Sequence, residues 1–163
     1  MALGGGLELA LSCDYRIGTR RSQFRFPETS IGIYPGLGGT QRTARICGLE
    51  CSRYAILAGN FLDSVTAYDL GLLTHNVDPT EVDSVVSSLI GTKPDNKYPF
   101  RPANEVSKVV DFSKKFYSDT NIGALLEGEI PSGFDPDDPM VSRQVKALSR
   151  GAPIALRLSL IHI

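Results

Sequence analysis

Apolar positions along this chain change spacing several times, and each change marks an element. Leu7, Leu9, Ala10 and Leu11 follow three consecutive glycines and predict a short buried helix from Gly6 to Cys13. Tyr15-Arg16-Ile17 and Gln23-Phe24-Arg25-Phe26 carry the β-branched and aromatic residues of short strands. Pro35 with Gly36, Gly38 and Gly39 forms a turn before a helix from about Thr40 to Cys47. Glu50 to Ala58 reads as a helix ended by Gly59, and Ser64 to Leu70 as another stopped by Gly71. Leu72 to Val77 is a candidate strand, and Thr80 is the expected N-cap of a helix from Glu81 to Ile90 that ends at Gly91.

The pattern then turns helical. Residues 92–102 are rich in turn formers and read as a linker. Val106, Val109, Val110, Phe112, Phe116 and Tyr117 fall close to helical spacing, with Lys108, Asp111, Lys114 and Lys115 on the wet face. Phe134-Asp135-Pro136-Asp137-Asp138-Pro139 is acidic, but two prolines and no returning bidentate glutamate favour Asp138 as an N-cap with Pro139 at the first helical position over a calcium loop. A helix from Met140 to Leu148, a break at Gly151 and a further helix from Ala152 complete the reading. The expected organisation is an α/β portion over 1–91, a linker over 92–102 and a helical region over 103–163.

Composition narrows the function classes. With 163 residues, 42% of them hydrophobic and 21% charged, the chain has the material for one soluble globular core. A net charge of −1 offers no basic footprint for nucleic acid, and no apolar run approaches the roughly eighteen residues that suggest a membrane span. The start lacks a charged region followed by an apolar core, so no signal peptide is expected and the cytoplasm is the default location. Cys13, Cys47 and Cys51 have no convincing metal or redox spacing, and they read as reduced, mostly buried thiols. His75 reads as a strand residue and His162 carries no signal; no metal site is expected.

The residues that suggest chemistry lie near the start. Gly4-Gly5-Gly6 strips side chains from a turn, so a ligand can approach the main chain and find its N–H groups. Glu8 stands within the apolar run that follows, and Glu28 closes Phe26-Pro27-Glu28 twenty residues later. A carboxyl in apolar surroundings is a route to proton transfer, and backbone N–H donors can stabilise an oxyanion, each such donor contributing about 2.7–4 kcal/mol to the transition state. The glycine cluster at 36, 38 and 39 lacks the ending of a P-loop and the register of a dinucleotide site, so packing against a substrate pocket is the better reading.

Taken with Gly32-Ile33-Tyr34-Pro35-Gly36, Gly38-Gly39-Thr40-Gln41-Arg42 and the segments from Ala58-Gly59 to Leu72, these motifs make the sequence resemble the crotonase (enoyl-CoA hydratase/isomerase) superfamily, closely over about residues 2–78 and more loosely beyond. The resemblance implies the C-terminal portion of the crotonase spiral α/β fold, followed by terminal helices that cover the site and meet neighbouring subunits. It implies that Gly5 supplies one oxyanion amide, with a second donor upstream, and that Glu8 and Glu28 flank the α and β carbons of an enoyl thioester as its acid/base pair. Gly4, Gly6, Pro27, Ile33, Pro35 and Gly36 are implied as substrate contacts. The implied reaction is syn addition of water to trans-2-enoyl-CoA in fatty-acid or related acyl-CoA metabolism. Coenzyme A enters only as part of the substrate, and a homotrimer or hexamer is the implied assembly. Keeping both glutamates favours hydration over double-bond isomerisation, and a CoA-ester isomerase or a non-catalytic fragment are the alternatives. The apolar end at 160–163 suggests a truncated chain. Residues 98–157 also resemble the crotonase part of bifunctional hydratase/3-hydroxyacyl-CoA dehydrogenases, without the glycine fingerprint of the second activity.

Overall fold

The computed structural model describes residues 1–92 and 107–163. Its strands are very short. β1 (Ala2–Leu3) pairs in parallel with β3 (Gln23–Arg25), Ala2 opposite Phe24 and Leu3 opposite Arg25, and β4 (Leu62–Asp63) adds antiparallel to the other side of β3. β2 (Ile17–Thr19) forms a second, two-stranded parallel sheet with β5 (His75–Val77).

Parallel neighbours need a crossover between them, and α1 (Gly5–Ala10) lies in the one that joins β1 to β3. This arrangement positions the motifs. Because Leu3 and Arg25 end in register, the segments leaving the two strands emerge side by side: the glycine run from one and Phe26-Pro27-Glu28 from the other. The Gly4 N–H donates to the Arg25 carbonyl at 2.9 Å, carrying the ladder one step beyond the strands.

Helices enclose these sheets. α2 (Gly39–Cys47) and α3 (Leu49–Ile56) meet at Gly48, and α4 (Ser64–Asp69) follows β4. α5 (Val82–Leu89) comes after β5, and α6 (Lys108–Phe116), α7 (Ile122–Leu126), α8 (Pro139–Leu148) and α9 (Pro153–His162) form the helical part. One buried cluster runs through all of this, joining Leu7, Phe26, Ile46, Ile56, Leu57 and Leu72 to Phe116, Tyr117, Val141, Leu148 and Leu156. Arg53 stitches the halves together: one of its nitrogens donates to the Tyr117 carbonyl at 2.9 Å and the other to Asp119 at 2.7 Å. The Tyr117 hydroxyl, fully buried, donates to Gln144 on α8 at 3.0 Å.

Several expected boundaries move. The first helix ends at Ala10 instead of Cys13, since the Ser12 and Cys13 N–H groups turn to carbonyls three residues back. The strand expected at 15–17 lies at 17–19. The candidate strand over 72–77 shortens to 75–77, because the Leu72 and Leu73 N–H groups both close onto the Ala67 carbonyl in the turn that ends α4. Asp78, two residues before the expected Thr80, is the N-cap: it accepts from the Thr80 N–H while Glu81 accepts from the Asp78 N–H, a complete capping box on the 3₁₀ turn Pro79–Glu81. Asp138 does cap α8, accepting from the Met140 and Val141 N–H groups with Pro139 at the first turn. Cys47 and Cys51 are buried free thiols, but Cys13 is exposed. Most of the expected linker, residues 93–102, and Val106 lie outside the described residues.

Candidate active site

Two buried carboxyls lie just beyond the ends of β1 and β3, near enough for the charge of Glu8 to act on Glu28. Glu8 sits one turn into α1 and is 2% exposed. Its placement follows from the helix pattern: Leu7 and Leu11 bury one face, and Glu8, next to Leu7, is carried inward with them. Glu28 opens a 3₁₀ turn (Glu28–Ile31) that starts from Pro27, and it is 6% exposed. That turn is anchored on both sides. The Thr29 hydroxyl donates to the Leu57 carbonyl at 3.3 Å, and the Ala152 N–H from the start of α9 donates to the Thr29 carbonyl at 2.9 Å.

Their surroundings differ. Glu8 Oε1 accepts two backbone donors, the Leu37 N–H at 2.8 Å and the Gly39 N–H at 2.7 Å. Among the described residues Glu28 has no such clamp, and its Oε2 is buried without a hydrogen-bond partner there. Burial pushes the Glu28 carboxyl above the ordinary glutamate value, its own backbone N–H opposes the shift, and the negative charge of nearby Glu8 adds to it. One carboxyl is therefore tied down as an acceptor, while burial shifts the other toward its proton-carrying form.

The glycines explain how the carboxyls come so close to the main chain. Gly4 has φ +49°, and a Cβ there would stand 2.7 Å from Glu28 Oε1 and 3.6 Å from Pro27 Cδ. A Cβ on Gly39 would stand 2.7 Å from Glu8 Oε1. A side chain at either position would displace the carboxylate it faces, and at Gly4 the positive φ adds backbone strain. Gly5 and Gly6 begin α1, where helix geometry supplies no carbonyl for their N–H groups, and a Cβ on Gly6 would meet open space. Leu37 Cδ1 lies over Gly5, 3.3 Å from where a Cβ would be.

Of the residues singled out from the sequence, Gly4, Gly5, Glu8, Pro27 and Glu28 come together here. Ile33, 53% exposed, joins through its N–H, which donates to the Glu28 carbonyl at 3.1 Å. Pro35, buried, and Gly36, exposed, connect through the chain as the two residues before Leu37. Sequence reasoning missed the Leu37 and Gly39 amides and Arg42, whose Nη1 donates to the Leu37 carbonyl at 2.6 Å. The signal was the run Gly36-Leu37-Gly38-Gly39: a bare turn of donors that cradles the protein's own carboxylate. Among the described residues no group of three or more His, Cys, Asp or Glu could hold a metal, and no helix is long and apolar enough to cross a membrane.

Known proteins resemble this chain in sequence and in fold. The chain is 41% identical over 81 residues to a short-chain-enoyl-CoA hydratase of Clostridium acetobutylicum, covering 50% of this chain and 31% of that protein. It is 52% identical over 75 residues to an enoyl-CoA isomerase/hydratase of Mycosarcoma maydis, covering 45% of this chain and 27% of that one. The chain thus spans about a third of the length of these relatives. The crystal structure of an enoyl-CoA hydratase from Rhodobacter sphaeroides superposes with a TM-score of 0.72 at 25% identity, over 98% of this chain and 46% of that one. The fold is therefore the α/β crotonase-like fold of these enzymes. A family model described as enoyl-CoA hydratase/isomerase matches residues 1–163 throughout, and with two glutamates gathered on a bare glycine turn inside that fold, the chain belongs to the enoyl-CoA hydratase/isomerase family.

Proposed function

We propose that this chain carries the acid/base residues of an enoyl-CoA hydratase, adding water across the double bond of a trans-2-enoyl thioester. The observation that carries the reading is the unequal treatment of the two buried carboxyls: Glu8 accepts two amides at one oxygen, while Glu28 keeps an unpartnered oxygen and a raised pKa.

Hydration needs a base for water, an acid for the α-carbon and a donor for the thioester oxygen. Glu8 takes a proton from water through its second oxygen as the hydroxyl oxygen bonds to the β-carbon. The π electrons shift toward the thioester oxygen, where the Gly5 N–H is one donor. Glu28 then releases its proton to the α-carbon as the enolate collapses. Both bonds form on the face shared by the carboxyls, which gives syn addition. The two residues exchange roles by one proton, and transfer through water between them restores the starting state. Coenzyme A enters as the thioester carrier, with no separate cofactor, and the active assembly is a homo-oligomer.

The test is loss of the enoyl absorbance of crotonyl-CoA, measured on the chain alone and combined with a segment supplying the remaining length of such a hydratase. Hydration is expected, with Glu8→Gln and Glu28→Gln each lowering kcat by about 10²–10⁴. A shifted double bond as product would instead favour isomerisation, which the name of the Mycosarcoma maydis relative includes. No conversion in either preparation would overturn both readings.

A further inference from the structure

We propose that Arg42 is a positioning residue that holds the Leu37–Gly39 turn at the height where its two amides meet Glu8. Arg42 lies in the first turn of α2 and sends one nitrogen to both parts of the clamp. Nη1 donates to the Leu37 carbonyl at 2.6 Å and reaches the Glu8 carbonyl at 3.5 Å. The second contact meets a need of the helix itself. α1 is six residues long, its last carbonyls lack intrahelical donors, and the Ser12 N–H that could have served Glu8 goes to Leu9 instead. A cation at that carbonyl therefore ties the end of α1 to the turn in front of α2.

The adjacent glycines record the same arrangement from the other side. A Cβ on Gly38 would stand 2.7 Å from Arg42 Nη1, and a Cβ on Gly39 would stand 2.7 Å from Glu8 Oε1. The bare pair is thus enclosed between a guanidinium and a carboxylate. Moving the guanidinium frees the Leu37 carbonyl, and with it the peptide units whose N–H groups point at Glu8. Arg42 touches no reacting atom in this arrangement. It acts through the clamp, fixing one oxygen of Glu8 so that the other faces the reactants.

This role rests on the hydratase reading for its consequence in catalysis, but the clamp itself can be tested without turnover. Amide hydrogen exchange, followed residue by residue by NMR on the wild-type chain, Arg42→Met and Arg42→Lys, reads it directly. In Arg42→Met the Leu37 and Gly39 amides should exchange about tenfold faster while those of α3 and α6 keep their wild-type rates. Arg42→Lys retains one donor for the Leu37 carbonyl and should recover much of the protection. Wild-type rates at Leu37 and Gly39 in both variants would overturn the proposal. So would a uniform acceleration through α3 and α6 in both, because Arg42 would then be a general stabiliser. In an active preparation, Arg42→Met should lower kcat about tenfold with KM within about twofold, and Arg42→Lys should restore it. If wild-type protein does not hydrate crotonyl-CoA, the proposed reaction fails while the exchange rates still decide the part played by Arg42.

Discussion

Glu28 keeps its proton at a pH where the same residue in an unfolded chain has lost it. Its folded-state pKa lies above the ordinary 4.5, chiefly through burial. Between the two values the native state binds more protons than the unfolded state, so stability falls as pH rises through that window. Below the unfolded value the penalty is absent, and above the folded value it is complete. Urea unfolding of wild type and Glu28→Gln at a series of pH values from about 4.5 toward neutrality should show the fall in wild type and a flatter profile in the variant. An equal slope in both would mean that the burial of Glu28 is not felt in the folding equilibrium. At this scale a glutamate among leucines marked Glu8 and a run of glycines marked Gly5, while Glu28 was marked by its place in Phe26-Pro27-Glu28 and by the family resemblance. The Leu37 and Gly39 donors were less visible, because a backbone amide has no letter of its own and its direction depends on the turn that presents it.

Helix boundaries depend on a few side-chain oxygens. Asp138 accepts from two N–H groups at the start of α8, and Asp78 completes a capping box ahead of α5. Asp138→Ala should cost about 1 kcal/mol, measurable as a lower midpoint with an unchanged slope in denaturant unfolding, and Asp78→Ala should lower the midpoint in the same direction. The helices themselves were legible from apolar spacing and stopping glycines. Asp138 was readable because proline follows it directly; at Asp78 the same signal was present, but Thr80 competed for the role. The strands were harder for a physical reason. Pairs such as Ala2 with Phe24 and Gln23 with Asp63 span only two or three residues, too few for an alternating pattern, and their partners lie far along the chain. The 3₁₀ turn carrying Glu28 is likewise set by what packs around it, above all Thr29 against Leu57.

At the scale of the molecule, the aromatic side chains of α6 pack the helical part against α3, Phe112 meeting Tyr54 edge-on. Phe116 is fully buried and stacks on Phe112 with ring centroids 4.9 Å apart, while Phe134 and Tyr117 meet it edge-on. Phe116→Ala should destabilise the chain by about 3–5 kcal/mol, with thermal unfolding remaining a single transition because one cluster links both parts. Loss of only the α6–α8 signals, with the site-bearing part still folded, would show instead that the two parts fold separately. The hydrogen bond from Ala152 to Thr29 has a consequence of another kind. It joins the N-cap of α9 to the residue directly after Glu28, so the coupling free energy between the two is the same read from either side. A ligand that gripped the Glu28 turn would slow the fraying of α9, and fraying of α9 would loosen the ligand by an equal factor. Occupancy of the site and persistence of a helix more than a hundred residues away in sequence are then linked equilibria, observable from either end.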